Sequence, residues 1–304
     1  MLEGLRARRR AIPARWLYDE AGSGLFDEIT ALPEYYPTRT EIALLEASAP
    51  DVARLTGPGR ALVELGSGSS AKTPLVIRAI SPSAYVPIDI SGEALRQATD
   101  MIRGLFPDLA VLPQEGDFME ALRLPAGLDG VSRLGFFPGS TIGNLAPATA
   151  VDLLRRLTAL LGPGSLLLIG MDRIKPVDVL LPAYDDSQGV TARFNLNLLH
   201  RINRDLDGDI PVDAFVHRAV WNAQEARVEM HLEAIRDCTF SVSGEDFSIS
   251  AGETIHTENS HKYCPRSAHL LLAAGGWRQL DCWTDANDRF LLILAEARPP
   301  ETAP

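Results

Sequence analysis

Ala61-Leu62-Val63-Glu64-Leu65-Gly66-Ser67-Gly68-Ser69-Ser70-Ala71-Lys72-Thr73 is the stretch that decides the fold. Ala61 to Leu65 is an apolar run of strand length that ends beside an acid and meets a glycine turn. Glycine carries no Cβ, so such a turn lets the main chain approach a ligand closely. After an intervening helical segment, a second apolar strand, Tyr85-Val86-Pro87-Ile88, ends in Asp89. A carboxylate at the second strand end can hold the ribose hydroxyls of an adenosine-containing cofactor at the carboxyl edge of a parallel sheet.

The glycine spacing alone is not specific. Gly66, Gly68 and Ala71 satisfy the dinucleotide fingerprint with alanine in third place, and a plain strand-turn-helix connection has the same look. The spacing also fits S-adenosylmethionine methyltransferases, where the turn faces the methionine part of the cofactor. Leu109 to Leu112 is a third apolar segment, followed by Gly116-Asp117-Phe118. Strands ending in Glu64, Asp89 and Asp117 would line one edge with carboxylates. That edge repels phosphates and accepts a sulfonium, an amine and ribose hydroxyls, which favours S-adenosylmethionine over NAD.

Outward from the turn, strand and helix alternate from residue 41 to about 174. Helices are expected at Glu41 to Ala53, Lys72 to Ala79, Gly92 to Phe106 and Pro147 to Leu161. Strands are expected at Arg133 to Phe137 and Ser165 to Ile169 in addition to those above. This alternation implies a parallel sheet wound right-handed. The pattern then changes. Asp178 to Leu206 reads as helix, while Ala219 to Ala234 and Cys238 to Ile249 alternate as antiparallel strands do. A helix from Pro265 to Ala274 precedes a final strand pair, Trp277 to Trp283 and Phe290 to Ala295. The expected architecture is therefore α/β, a Rossmann-like class I methyltransferase sheet with an inserted α+β domain. Residues 41–174 and 263–304 would form the cofactor-binding domain, and 1–40 with 175–262 the substrate-binding domain. Residues 298–304 are expected to be a frayed tail.

The chain has 304 residues, 46% of them hydrophobic and 23% charged, an ordinary soluble composition. A formal net charge of -11 argues against nucleic-acid binding through a basic face. Arg6, Arg8, Arg9, Arg10 and Arg15 are locally basic but lack the apolar segment of a signal peptide, and read as a solvated helix face. No apolar run approaches membrane-spanning length. Three cysteines, Cys238, Cys264 and Cys282, without metal-ligand spacing suit idle thiols in a reducing cytoplasm. His256 and His261 alone are weak evidence for a metal, and none is expected.

Three further segments are rich in polar and aromatic groups. Leu32-Pro33-Glu34-Tyr35-Tyr36-Pro37-Thr38-Arg39-Thr40-Glu41 reads as a rigid loop with Thr40 capping a helix. A tyrosine hydroxyl presented to a ligand is the alternative, and the segment alone favours a structural turn. Phe137-Pro138-Gly139-Ser140-Thr141-Ile142-Gly143-Asn144 follows the fourth strand, where Asn144 could either meet a substrate or cap the next helix. Ile255-His256-Thr257-Glu258-Asn259-Ser260-His261-Lys262-Tyr263 is either a solvated loop or an extended segment with Glu258 and Ser260 on one face.

On these strings, together with Tyr18-Asp19-Glu20-Ala21-Gly22-Ser23-Gly24-Leu25-Phe26, Tyr85 to Ser91 and Tyr184-Asp185-Asp186, the chain resembles the ergothioneine-biosynthesis histidine Nα-methyltransferases. The resemblance runs from about Ala14 to Ala295. It implies trimethylation of L-histidine to hercynine with S-adenosylmethionine, leaving S-adenosylhomocysteine. By resemblance, Gly66, Ser67, Lys72, Asp89, Asp117 and Phe118 would bind the cofactor. Asn144 and Tyr184 would hold the histidine carboxylate, Tyr35, Glu258 and Ser260 the imidazole, and Met230 a pocket wall. Tyr18 and Gly139 would lie near the α-amino group as the catalytic pair. A cytoplasmic monomer acting on a small amino acid is expected. Methylation of another amino acid by the same family is the alternative; an NAD-linked oxidoreductase lacks support from the acidic strand ends.

Overall fold

The computed structural model describes residues 1–68 and 71–298; Ser69 and Ser70 of the glycine turn and the tail at 299–304 lie outside the described residues. The chain divides into two compact units. One comprises Met1–Tyr36 and Lys175–His261, the other Pro37–Ile174 and Lys262–Pro304.

The second unit is built on one eight-stranded sheet. Its strands are β1 (Ala61–Leu65), β2 (Ala84–Asp89), β3 (Ala110–Val111), β4 (Gln114–Glu115), β5 (Arg133–Phe137), β6 (Leu166–Asp172), β12 (Trp277–Thr284) and β13 (Phe290–Ala297). The order is β12-β13-β6-β5-β1-β2-β3, with β4 also pairing β2. β1 to β6 run parallel, and β13 is antiparallel to both β6 and β12, so an antiparallel pair closes a parallel sheet. β1, β5 and β6 are apolar along nearly their whole length because both faces are covered. The helices are α3 (Tyr36–Thr56), α4 (Thr73–Ile80), α5 (Gly92–Leu105), α6 (Pro147–Leu161) and α9 (Pro265–Ala274). One face buries Val63, Leu65, Phe137 and Ile169 with Leu153, Leu157 and Leu272. The other buries Leu62, Tyr85, Phe136 and Leu168 with Leu44, Val76 and Ile80.

Several expectations are corrected. α3 begins at Tyr36, five residues before the expected start at Glu41. Pro37 sits in its first turn, where a missing N–H costs nothing, so Thr40 lies inside the helix and not at its N-cap. The third strand is split into the two-residue pieces β3 and β4, which pair with different ends of β2. Asn144 ends a 3-10 turn at Thr141–Asn144, and Ala146 occupies the N-cap of α6.

The first unit contains α1 (Leu2–Arg6), α2 (Glu20–Ala31), α7 (Val177–Leu180) and α8 (Val190–Asp205), with β7 (Phe215–Asn222), β8 (Arg227–Ala234), β9 (Cys238–Val242), β10 (Glu245–Ile249) and β11 (Thr254–His261). β11, β8 and β7 form an antiparallel sheet, and β9 and β10 a hairpin. α2 lies against α8, and α8 against β7. The core joins Leu17, Ile29, Tyr35 and Tyr36 to Phe194, Leu198, Met230, Leu232 and Ile255.

The continuous helix expected over 178–206 is broken. Asp186 accepts hydrogen bonds from the main-chain N–H groups of Gln188, Val190 and Thr191, which ends one helical segment and starts another. The arginine cluster is not one helix face either. α1 stops at Arg6, which pairs with Glu245, and Arg10 reaches Ser248 O and Glu253. The segment 255–263 is buried strand rather than solvated loop, with Glu258 at 8% and Ser260 at 4% exposure. Among the described residues, no helix is long and apolar enough to cross a membrane.

Candidate active site

In the sheet unit, the candidate cofactor residues gather at the carboxyl ends of β1, β2, β4 and β5. Gly66 and Gly68 have φ of +64° and +47°, the region that L side chains avoid. The N–H groups of Gly66 and Ser67 donate to Ile88 O, tying the turn to β2. Asp89 Oδ2 accepts from Gly68 N–H at 2.9 Å, and Asp89 Oδ1 accepts from Ser91 N–H at 2.9 Å, at the start of α5. The second acid thus shapes the glycine turn itself. Phe118 stands over the turn, with Cε1 3.6 Å from where a Gly66 Cβ would lie, and packs edge-on against Phe137. Asp117 Oδ1 accepts from Met119 N–H at 2.8 Å. Asp89, Asp117 and Phe118 are all half-buried.

Glu64 departs from the expected row of carboxylates. It is 1% exposed, and its Oε2 accepts from Thr73 Oγ1 at 2.7 Å and from the Tyr85 hydroxyl. Burial pushes its pKa up to about 7, opposed by those two hydroxyls. Glu64 therefore joins β1, β2 and α4 from inside, its carboxylate engaged by Thr73 and Tyr85. Two strand-end acids remain on the edge, Asp89 and Asp117.

Glu41 organises this edge from inside, a part that sequence reading left out. It is fully buried, and its Oε2 accepts from Lys72 Nζ at 2.6 Å and from Gly139 N–H at 2.8 Å. A Cβ at Gly170 would lie 2.0 Å from Glu41 Oε1, so β6 must carry glycine there. One carboxylate thus fixes Lys72 before α4 and Gly139 after β5. Gly139 spends its N–H on Glu41, so the group it can offer an amine is its carbonyl. Below it, Ser140 Oγ accepts from Asp172 N–H, and Asp172 pairs with Lys262 at 2.8 Å in full burial. The signal for Glu41 was an acid one turn inside a helix that sequence reading started too late.

The first unit brings together residues from five separate segments. Tyr18 meets Phe26 and Phe194, both at 5.5 Å between ring centroids. Phe26 meets Tyr35 at 6.1 Å, and Tyr35 meets Tyr184 at 6.3 Å, all edge-to-face. The Tyr184 hydroxyl lies 2.8 Å from Ser260 Oγ. Glu258 stands opposite Met230 in the β11–β8 register. Tyr18, Tyr35, Tyr184, Met230, Glu258 and Ser260 therefore form one connected polar-aromatic group. His217 and Asn195 were also missed. His217 Nε2 donates to Tyr184 O at 2.7 Å, and Asn195 Nδ2 donates to His217 Nδ1 at 2.9 Å. Burial lowers the His217 pKa, which keeps the ring neutral in that tautomer.

Known proteins share this arrangement of sequence. A family model described as histidine-specific, S-adenosylmethionine-dependent methyltransferase matches residues 1–297. The chain belongs to that family. It is 42% identical over 300 residues to the histidine N-alpha-methyltransferase of Mycolicibacterium smegmatis, covering 96% of this chain and 92% of that one. It is 41% identical over 299 residues to that of Mycobacterium tuberculosis, with the same coverage. A solved structure of a possible exported protein from Bordetella parapertussis aligns with a TM-score of 0.53 at 15% identity, covering 95% of this chain and 81% of that one. That likeness is one of fold alone.

The sheet edge fits the cofactor of this methyltransferase family. Its glycine turn carries no Cβ at Gly66 and Gly68, and its half-buried carboxylates are acceptors for an amine and for ribose hydroxyls. S-Adenosylmethionine carries those groups together with a positive sulfonium and no phosphate.

Proposed function

We infer that this protein transfers methyl groups from S-adenosylmethionine to the α-amino group of L-histidine, three times in succession, to give hercynine, a step of ergothioneine biosynthesis. The observation that carries the reading is the buried group in the first unit: a carboxylate, Glu258, two residues from Ser260, whose hydroxyl pairs with that of Tyr184. A carboxylate is a strong acceptor for a ring N–H, and the imidazole of histidine supplies one. In this reading Glu258 accepts from the substrate ring, while Ser260 and Tyr35 fix the ring's orientation.

The remaining residues take complementary parts. Ser260 and Tyr184 share one hydrogen bond, which ties the imidazole-holding strand to the carboxylate-holding tyrosine. Asn144 and Tyr184 receive the substrate carboxylate. Tyr18, through its hydroxyl, and Gly139, through its carbonyl, orient the amine by accepting its N–H groups and leave the lone pair for attack. Met230, opposite Glu258, closes one wall. Gly66, Ser67, Lys72, Asp89, Asp117 and Phe118 hold the cofactor, which supplies an electrophilic methyl group when bound. Because the acceptor is a neutral amine attacking in line, positioning accounts for most of the protein's contribution. The same reading makes the protein a cytoplasmic monomer with Cys238, Cys264 and Cys282 as free thiols.

Incubation with S-adenosylmethionine and each proteinogenic amino acid in turn, followed by mass spectrometry, tests it. Histidine should gain one, two and then three methyl units. Methylation of a different amino acid, with histidine unchanged, would refute the assignment.

A further inference from the structure

On the opposite side of β11 from Glu258 stands a histidine whose bonding bears on where that carboxylate points. Ile255 pairs with Leu232 and His256 with His231, but the register then slips, so that Glu258 rather than Thr257 stands opposite Met230. Side chains on a strand alternate with a period of two. With Ile255 inward, unbroken pairing would turn Thr257 inward and Glu258 outward, beside Glu229. The β-bulge inserts one residue and re-aims the side chains beyond it. Thr257 and Glu258 are consequently both buried, at 1% and 8% exposure, and Ser260 is buried too, at 4%. Thr257 Oγ1 donates to Met230 O at 3.1 Å.

A side chain closes the bulge. His256 Nε2 lies 2.9 Å from Glu258 O, across the extra residue. A carbonyl only accepts, so the imidazole carries a proton on Nε2. The ring is itself held: it stacks on His231 with centroids 4.7 Å apart. His231 Nε2 is 3.0 Å from Glu229 Oε2, and Glu229 also accepts from Asn222 and Arg227. Against burial, which works the other way, these bonds keep the Glu229 carboxyl at a pKa of about 2. The His256 main chain is pinned from the other edge, with Ile12 N–H donating to His256 O and His256 N–H to Arg10 O.

The ligating atoms of Glu229, His231 and His256 lie within 4.8 Å of one another, close enough to suggest a cation. Arg227 already places its positive charge on Glu229 at 2.7 Å, and His256 spends Nε2 on the bulge. The cluster is better explained as a clamp on β11.

We propose that His256 is a positioning residue for substrate selection, its Nε2–H holding the bulge that turns Glu258 and Ser260 inward. This rests on Glu258 recognising the imidazole, and the experiment separates the two statements. His256→Phe keeps a ring for stacking and loses the donor; His256→Gln keeps an amide N–H at similar reach. Each is compared with wild type and placed in a Glu258→Ala background, with kcat/KM measured for histidine and tryptophan and S-adenosylmethionine affinity measured separately. His256→Phe should lower histidine kcat/KM by about tenfold, mainly through KM, with cofactor affinity retained, and His256→Gln should recover most of it. In the Glu258→Ala background the His256→Phe effect should shrink to the part carried by Ser260, because residues acting through one another are not additive. An effect of undiminished size there, a His256→Gln variant as impaired as His256→Phe, or no effect at all would overturn the proposal. If Glu258→Ala alone leaves the histidine-to-tryptophan ratio unchanged, the recognition role itself fails and this proposal falls with it. Should His256→Phe not fold, nitrogen-15 spectra of the wild-type imidazoles decide: a slowly exchanging Nε2–H on His256 supports the staple, and an Nδ1–H tautomer refutes it.

Discussion

The cofactor edge and the polar group of the first unit are built by opposite means. At the edge, each residue ends a strand or follows it within two positions: Gly66 after β1, Asp89 closing β2, Asp117 after β4, Gly139 after β5. A parallel sheet delivers all its carboxyl ends to one side, so local pattern is enough to place them. In the first unit, Tyr18, Tyr35, Tyr184, Met230 and Ser260 come from separate segments and meet through ring contacts, strand register and a hydroxyl pair. In the proposed reading, cofactor binding is thus set by topology, and substrate choice by long-range packing. Variants in the two regions should dissociate, those at the edge changing cofactor affinity and those in the polar group changing amino-acid preference.

The largest effect is expected where the edge depends on a single buried charge. Glu41→Ala leaves Lys72 without its partner at 2.6 Å and the Gly139 N–H without its acceptor. Breaking a buried pair by removing one partner costs about 3–5 kcal/mol, so the thermal midpoint should fall sharply. Removing both charges, in Glu41→Ala with Lys72→Met, should recover part of the loss. An unchanged midpoint in Glu41→Ala would mean that this carboxylate does not organise the edge.

Next comes Glu258→Ala. Losing the acceptor leaves an imidazole N–H unsatisfied, at roughly 1–3 kcal/mol, so histidine kcat/KM should drop by about ten- to a hundredfold. Relative activity on tryptophan should rise as the pocket becomes larger and less polar. Cofactor affinity, read by calorimetry, should stay put; if it fell in parallel, the two regions would not be separable.

Asp89→Ala is the mirror experiment. It removes the proposed ribose acceptor and also the bond that shapes the turn at Gly68. Cofactor affinity should weaken by about tenfold, the equivalent of one charge-assisted hydrogen bond, while the ratio of histidine to tryptophan turnover stays at the wild-type value. A changed ratio would show that the turn reaches into substrate choice.

The two regions were also unequally legible. The sheet order, the glycine turn, Asp89 and Asp117 can be read from apolar runs ending in turn residues, which is local information. The start of α3 was missed because Pro37 looks like a loop residue, although helix first turns accept proline. With that start went Glu41. The break before α8 depends on Asp186 bonding to main-chain N–H groups, and the β11 bulge on register against β8. Neither leaves a periodic trace, since one is a side-chain bond and the other a single inserted residue. His217 and Asn195 hold Tyr184 through partners far apart in the chain, so no spacing announces them.

Glu64 gives the finest test of the comparison, because pattern assigns it to the cofactor edge and packing assigns it to the core. Its pKa is pushed up to about 7 by burial, against the bonds from Tyr85 and Thr73, whereas an unfolded chain would have it near 4.3. Between these values the folded protein holds a proton that the unfolded chain has released. Stability must therefore fall as pH rises through that window, the full cost being in place above about pH 7 and absent below the unfolded value. Glu64→Gln, which is neutral throughout and keeps an acceptor for the two hydroxyls, should flatten that part of the profile. Thermal midpoints taken from mildly acidic to neutral pH should show wild type declining relative to Glu64→Gln by roughly a few degrees, and S-adenosylmethionine affinity should be the same in both. A loss of cofactor affinity with parallel pH profiles would return Glu64 to the edge and make the row of strand-end acids three members long.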